Sequence, residues 1–301
     1  MRPEELLLIV NPRSGTWGSR RILDDIQGPL RRSGCRLQIV ETTAARDAER
    51  IAREALLSES SAVGLIGGDG TLHEVLNGLL QRCDPTPPPL AVFPGGTGNT
   101  VMEHLACLDP LRVVELFLDN RTTPIDIARV EMPGRTVYCC NIVGWGMVSD
   151  INSTAEKLRW LGRARYTLAT LLHLIAPRLR RVRLTMDGVE FDRELLLAIG
   201  CNTRTTGRGL LLAPSARLDD GRIDLVLVRQ ASRWRLLRLF LDVMHARPTD
   251  PRVLESYQVR EFSLNPEFDG SLNLDGEQSG QTPVHVTMLP AAIRLYAAPA
   301  A

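Results

Sequence analysis

The sequence predicts an α/β domain on a parallel sheet over residues 1–123, followed by a β-rich antiparallel domain over residues 124–288. Three observations lead there. Strand-type and helix-type runs alternate through the first part, the pattern of a parallel sheet covered by helices. Three of its strands end in turns rich in glycine or proline. After Arg121 the texture changes to short β-type runs separated by Pro133-Gly134, Asp187-Gly188, Asp220-Gly221 and Asp269-Gly270. The tail, about 289–301, is a candidate to return to the first domain.

The apolar run 6–10 reads as a buried strand, and Asn11-Pro12-Arg13-Ser14-Gly15 as the turn after it. A helix is expected over 19–33, with Gly34 as its stop. Residues 37–40 form a second strand. Thr43 is expected to cap a helix reaching about residue 57, with Ala48, Ile51, Ala52, Ala55 and Leu56 on its apolar face. Residues 62–66 read as a third strand, followed by Gly67-Gly68-Asp69-Gly70-Thr71 and a helix over 72–80. Residues 84–89, with four prolines, form a stiff loop. A fourth strand over 90–93 ends in Pro94-Gly95-Gly96-Thr97-Gly98-Asn99. In the second part, strands are expected over 124–130, 137–143, 182–186, 195–200, 223–228 and 284–288. Helices are expected over 155–176 and 234–246.

Composition narrows the chemistry. The chain has 301 residues, 44% hydrophobic and 24% charged, with a net charge of +1. That balance suits a globular enzyme and gives no global field for nucleic acid. Glu4 and Glu5 ahead of the first apolar run do not fit a signal peptide, and no apolar run is long enough to span a bilayer. The six cysteines show no metal-ligand spacing and read as reduced thiols. A cytoplasmic location is expected. Lys157 is the only lysine. A P-loop lysine and the strand lysine of a protein kinase are therefore both excluded. Bound phosphates would have to be met by backbone N–H groups, arginine and a metal.

The glycine turns suit that task. A turn at a strand's carboxyl end that opens a helix offers N–H groups and the positive end of the helix to an anion. Asp69 is the odd element there. A carboxylate beside phosphates repels them unless it holds a metal ion or takes a proton, which points to phosphoryl chemistry. Two such turns on neighbouring strands can hold one polyphosphate between them. Leu274-Asp275-Gly276-Glu277 is an ordinary turn alone. Beside a nucleotide site it supplies a general base for an attacking hydroxyl. Asp126 is equally a metal ligand or a solvated strand-end carboxylate. Asp219-Asp220 is equally a divalent-ion site or a plain β-turn. The helix after Trp145 carries Arg159, Arg163 and Arg165, read as a basic solvated face or as arginines reaching the γ-phosphate. The apolar stretch 166–176 is a core helix or a wall for an acyl chain. Residues 234–241 alternate arginine with apolar residues and suit either a surface helix or an anionic membrane.

These motifs, in this order and spacing, resemble the diacylglycerol kinase and sphingosine kinase family of lipid kinases over nearly the whole chain. The matching residues are Asn11-Pro12 with Ser14-Gly15, the turns at 67–71 and 95–99, Ala213-Pro214 leading to Asp219-Asp220-Gly221, and Asp275-Gly276-Glu277. The resemblance implies an α/β nucleotide-binding domain of the NAD kinase/diacylglycerol kinase type and a sandwich-like lipid-binding domain, with ATP and magnesium bound in the cleft between them. It implies that Asp69, Asp275 and Glu277 are catalytic. Nucleotide contacts would come from Asn11, Ser14, Gly15, Thr43, Gly67, Gly68, Gly70, Thr71, Gly95, Gly96, Thr97 and Asn99. Beside what the resemblance implies, Asp69 and, on their own chemistry as weighed above, Asp126, Asp219 and Asp220 are the candidate metal contacts. The segment 144–165 is similar to the sphingosine kinase branch. It places Arg159 and Arg165 at the ATP phosphates, and Trp145, Asp150 and Asn152 at the lipid.

Two departures stand out. Where that branch carries an aspartate for the sphingoid amine, this chain has Asn152, and a pocket serine maps to Ile142. A neutral amide pairs poorly with an ammonium. Most bacterial-type members also follow the glycine turn with Asn-Asp, and here it is Asn99-Thr100. The main expectation is transfer of the ATP γ-phosphate to diacylglycerol or a related lipid at the inner face of the membrane, by a peripheral protein with no nucleic-acid partner. A homodimer is left open. The alternatives are a sphingoid-base kinase, an NAD kinase and a catalytically silent regulator.

Overall fold

The computed structural model describes residues 3–15, 18–84, 86–206 and 209–298. It divides into two compact units, Met1–Ile127 with Pro290–Ala301, and Ala128–Leu289. In chain order the elements begin with β1 (Glu5–Val10), α1 (Ser19–Arg32), β2 (Arg36–Glu41), α2 (Asp47–Glu54), β3 (Ser61–Gly67) and α3 (Asp69–Leu80). Next come β4 (Leu90–Pro94), α4 (Thr100–His104), α5 (Pro110–Leu118) and β5 (Thr123–Met132), on which the chain leaves the first unit. The second unit continues with β6 (Arg135–Cys139), β7 (Ile142–Gly146), α6 (Met147–Lys157), a 3-10 turn (Arg159–Ala164), α7 (Arg165–Ile175), β8 (Arg180–Met186) and β9 (Val189–Cys201). The short β10 (Thr205–Thr206) and β11 (Leu210–Leu211) precede β12 (Ile223–Arg229), α8 (Arg233–Met244), β13 (Leu254–Val259) and β14 (Glu261–Pro266). The chain ends through β15 (Ser271–Leu274), β16 (Glu277–Gln281) and β17 (Val284–Leu295).

The first unit is a parallel sheet in the order β2-β1-β3-β4, and the last residues of β17 join β4 in parallel at Leu295 and Leu90. Every residue of β3 is buried, as are Leu6 to Val10 of β1, because helices cover both faces of a parallel sheet. α1 packs on α5 and α2 on α3. Right-handed crossovers put α1 on one face and α2 and α3 on the other. All four strands run the same way, so the turns that follow them gather on one edge.

The second unit is antiparallel. β9 is its long central strand, paired along its first half with β8 and along its second half with β7 and β12. Its neighbours extend to β15 and β16 on one side and to β14 and β17 on the other. Alternate side chains point to opposite faces, and both faces are apolar. Ala198, Leu225 and Leu227 lie in one core with Trp145, Phe262 and Leu272. Ile199, Val226 and Val228 lie in a second core with Met147, Leu174 and Leu236 from α6, α7 and α8. The arrangement is sandwich-like.

Four expectations change. The helix after β2 begins at Asp47 rather than at a Thr43 cap, because Thr43 donates its N–H and hydroxyl to the Asp47 carboxylate. The helical stretch 155–176 is interrupted by the 3-10 turn, where Gly162 takes φ 56°. The strand over 137–143 is two strands, divided at Cys140 and Asn141 by a side chain described below. α4 and α5 were not expected. α5 carries a plain start signal, Asp109 accepting from the Leu111 N–H at 3.0 Å with Pro110 in the first turn.

Candidate active site

Three turns interlock on the sheet edge of the first unit. Asn11 follows β1 and donates through Nδ2 to the Thr71 hydroxyl at 3.0 Å. The Gly95 N–H donates to the Gly67 carbonyl at 2.8 Å. The turns approach so closely that side chains are excluded. A Cβ on Gly15, which sits at φ +70°, would lie 2.2 Å from the Gly95 carbonyl oxygen, and one on Gly96 would lie 2.3 Å from the Gly68 Cα. Such an addition there meets backbone, which has no rotamer to change. Ser14 lies against Gly68. Asn99, at φ 55°, closes its own turn by accepting from the Gly96 N–H and donating to the Gly96 carbonyl at 3.0 and 2.9 Å. Thr97 is exposed at the tip of that turn, while Gly70 and buried Thr71 lie in the first turn of α3.

Asp69 opens α3 and reaches across to the start of α4. Its Oδ1 accepts from the Thr100 N–H at 2.7 Å, and its Oδ2 from the Thr100 hydroxyl at 3.1 Å. Gly98 makes room for it, since a Cβ there would stand 2.4 Å from Oδ2. The carboxylate is thus set in one orientation at the edge where the glycine turns meet.

Two residues assigned to the nucleotide or metal have other partners. Thr43 follows β2 on the same edge, and its N–H at the Asp47 carboxylate, with Arg50 next to it, holds that acid below the usual carboxylate range. Asp126 lies in β5, only 2% exposed, and accepts from the Ala291 N–H at 2.7 Å.

In the second unit the Asp275-Gly276 pair is the turn between β15 and β16, with φ of 52° and 94°. Two successive left-handed residues match the type I′ turn of a tight hairpin. Asp275 is buried, and its carboxylate accepts from three successive backbone N–H groups, those of Cys140, Asn141 and Ile142, at 3.0, 2.8 and 2.9 Å. This is the side chain that divides β6 from β7. The Gly276 N–H donates to Asn273 Oδ1 at 2.9 Å, and its carbonyl accepts from Asn152 Nδ2 at 2.9 Å. Glu277 follows, exposed, as the first residue of β16.

The remaining assigned residues are spread through the same unit. Trp145 is fully buried opposite Leu272. Asp150 pairs with Arg180 at 2.7 Å. Arg165 stacks on the Tyr166 ring at 4.9 Å and faces Glu156 at 3.9 Å. The side chains of Arg159 and Arg163 lie outside the described residues. Asp219 pairs with Arg217 at 3.1 Å, and Asp220 accepts from the Arg222 N–H at 2.9 Å, so this turn closes on itself. Asp224 nearby is 1% exposed, and burial raises its pKa above the ordinary value, opposed by hydrogen bonds from Ser215 and Gln258.

Sequence reasoning noted Thr100 only as a departure and passed over Gly98 and Asn273. A hydroxyl residue directly after a glycine turn, at the head of a helix, was the available signal for the first.

Known proteins share this build. The model of the diacylglycerol kinase catalytic domain matches residues 5–130, and that of the YegS C-terminal NAD kinase beta sandwich-like domain matches residues 141–297. The diacylglycerol kinase of Bacillus subtilis is 30% identical over 280 residues, covering 92% of this chain and 90% of its own. A YegS-like probable lipid kinase of Chromohalobacter salexigens is 31% identical over 295 residues, covering 96% and 92%. The crystal structure of a diacylglycerol kinase from Bacillus anthracis has the same fold, with a TM-score of 0.76 and 23% identity over 99% of this chain and 98% of that one. Fold and site together define an enzyme of the lipid kinase class. The chain belongs to the diacylglycerol kinase family.

Proposed function

We propose that the enzyme transfers the γ-phosphate of ATP, with magnesium, to the hydroxyl of diacylglycerol or a closely related neutral glycerolipid. The observation that carries this reading is the Asp69 carboxylate, held at both oxygens by Thr100 where two glycine turns meet. Backbone N–H groups of those turns receive the phosphates, the task that the near absence of lysine leaves to them. A fixed carboxylate is the hard oxygen donor that magnesium takes. Asp69 would hold the ion, which when bound would supply charge neutralisation at the phosphates. The lipid oxygen bonds to the γ-phosphorus as the bond to the ADP oxygen breaks, and the hydroxyl proton passes to a carboxylate of the Asp275-Gly276-Glu277 turn. Glu277 suits that role better, since the Asp275 oxygens already accept three backbone N–H groups.

The acceptor reaches the enzyme at a membrane surface. No helix among the described residues is long and apolar enough to cross a bilayer. α7 exposes Leu168, Leu171, Leu172 and Ile175, and α8 exposes Trp234 at 81% together with Leu241 and Met244, beside Arg233, Arg235 and Arg238. Apolar side chains among arginines favour peripheral binding to anionic lipid. This reading places the enzyme in the cytoplasm, at the inner face of the membrane, in phospholipid metabolism.

Purified protein with γ-labelled ATP and magnesium, offered diacylglycerol, monoacylglycerol, sphingosine and NAD in detergent micelles, tests the reading. Label in diacylglycerol, lost in Asp69→Asn with the fold intact, is the expected result. Label in sphingosine or NADP alone would overturn it.

A further inference from the structure

Asn152 stands where the sphingosine kinase branch carries an aspartate for a lipid amine, and its side chain here bonds the protein's own backbone. It sits on α6, 4% exposed, and its Nδ2 donates to the Gly276 carbonyl at 2.9 Å. Its Oδ1 lies 3.5 Å from the Tyr166 hydroxyl of α7. Gly276 is the second residue of the turn that delivers Glu277 to β16. An Asp-Gly turn closes a hairpin by its own backbone preference. Here it is also fastened at its N–H by Asn273, at its carbonyl by Asn152, and through the Asp275 carboxylate to three N–H groups between β6 and β7. Fastening beyond what the turn needs to form serves where the turn is held.

We propose that Asn152 is a positioning residue that holds the Gly276 carbonyl, and with it the backbone leading to Glu277, through its N–H donor. The inference rests on the reaction proposed above. It also bears on the acceptor. The bond requires a donor, which an ionised aspartate is not, and a neutral amide committed to a backbone carbonyl offers no charge to an ammonium. On this reading residue 152 supplies no counter-charge to a lipid amine, in keeping with the neutral glycerolipid proposed above.

The test uses the full-length enzyme and three forms of residue 152. In Asn152→Ala and Asn152→Asp, kcat with diacylglycerol is expected to fall about 10- to 100-fold, with KM for ATP unchanged. An aspartate buried at this position has its pKa raised, and once protonated it can donate to the Gly276 carbonyl. The rate of Asn152→Asp relative to the unmodified enzyme should therefore rise between about pH 8 and pH 6, while that of Asn152→Ala stays flat. The charged or titratable groups on the elements packed against α6 include Asp275 and Glu277 at the turn and Arg165, Tyr166 and His173 on α7, with Asp150 and Glu156 on α6 itself. These groups are present in all three forms, and Asn152→Ala, which lacks the added carboxyl, serves as the control for any pH dependence they bring. Amide exchange at residues 276 and 277 should quicken in Asn152→Ala, which reads the positioning without reference to activity. Unchanged kcat or unchanged exchange would overturn the inference. So would sphingosine phosphorylated by Asn152→Asp as fast as diacylglycerol by the unmodified enzyme. If the unmodified enzyme phosphorylates no lipid, the proposed reaction fails, and the exchange measurement still decides whether Asn152 holds the turn.

Discussion

Thr100 grips Asp69 by both carboxylate oxygens, one through its backbone N–H and one through its hydroxyl. The two residues lie 31 positions apart and join the head of α3 to the head of α4. The backbone half of the grip survives any substitution at position 100, whereas the hydroxyl half does not. Thr100→Val, nearly isosteric, should lower kcat about tenfold, the scale of one lost hydrogen bond to a charged group. Thr100→Ser should stay near the parent rate. Steady-state kinetics against both substrates checks the pair. Thr100→Asp would set a second carboxylate beside the first and should lower the magnesium concentration needed for half-maximal rate, since a hard divalent ion gains from ligand charge.

Gly98 is the space that Asp69 occupies. Gly98→Ala would bring a methyl group 2.4 Å from Oδ2, so the carboxylate must turn away. We expect turnover to fall by about two orders of magnitude, the cost of misplacing a reacting group by an ångström. The melting temperature should move far less than in Gly15→Ala, where strain at φ +70° adds to collision with the Gly95 carbonyl. Thermal melts and turnover of the two variants, side by side, separate the effects.

Asp275 and Glu277 should part company under mutation. Asp275→Asn turns an amide group toward three backbone donors that need an acceptor, and should cost about 2–3 kcal/mol of stability as well as activity. Glu277→Gln, at an exposed position, should leave the denaturation midpoint unchanged and still abolish turnover. Equal destabilisation by both variants would argue against the assignment of the proton acceptor.

Asp224 should make the enzyme less stable as pH rises. Burial lifts its pKa in the folded chain, so the folded state keeps a proton over a window where the unfolded chain has lost it. Its contribution is whole below the ordinary carboxylate pKa and declines as pH climbs through the raised value. Asp224→Asn removes the decline. Melting curves from about pH 4 to pH 7 should show the variant gaining on the parent as pH increases.

Much of this architecture was legible in the residues. The β1, β3 and β4 runs are apolar throughout because both faces are covered, and each ends in a turn whose composition shows where the chain must bend. The turns at 67–71 and 95–99 stood out as a candidate site because glycine in such number is costly without a reason, and the structure brings them into contact. What escaped notice depends on contacts distant in sequence. Nothing near Cys140 announces that the Asp275 carboxylate, 135 residues later, will accept from its N–H and interrupt a strand. Thr43 looked like a helix cap because threonine so often is one, but the aspartate four residues on competed for its donors. Asn152 looked like a position facing a ligand because a resemblance suggested it, and only the Gly276 carbonyl shows where its amide goes.

The segment that joins β4 in the first unit comes from the end of β17, after the whole of the second unit. Leu295 and Leu90 pair in parallel, the Tyr296 N–H donates to the Leu90 carbonyl at 3.0 Å, and the Tyr296 ring meets Phe117 at 5.0 Å. A ribosome that has finished the first four strands has therefore not finished the sheet. Until the end of β17 emerges, the Leu90 end of β4 lacks its neighbour and is an open apolar edge of the kind that recruits other chains. Early release, truncation from the carboxyl end or a bulky tag packed against Tyr296 would leave that edge open. Overproduction of such forms should yield inclusion bodies rather than a smaller enzyme.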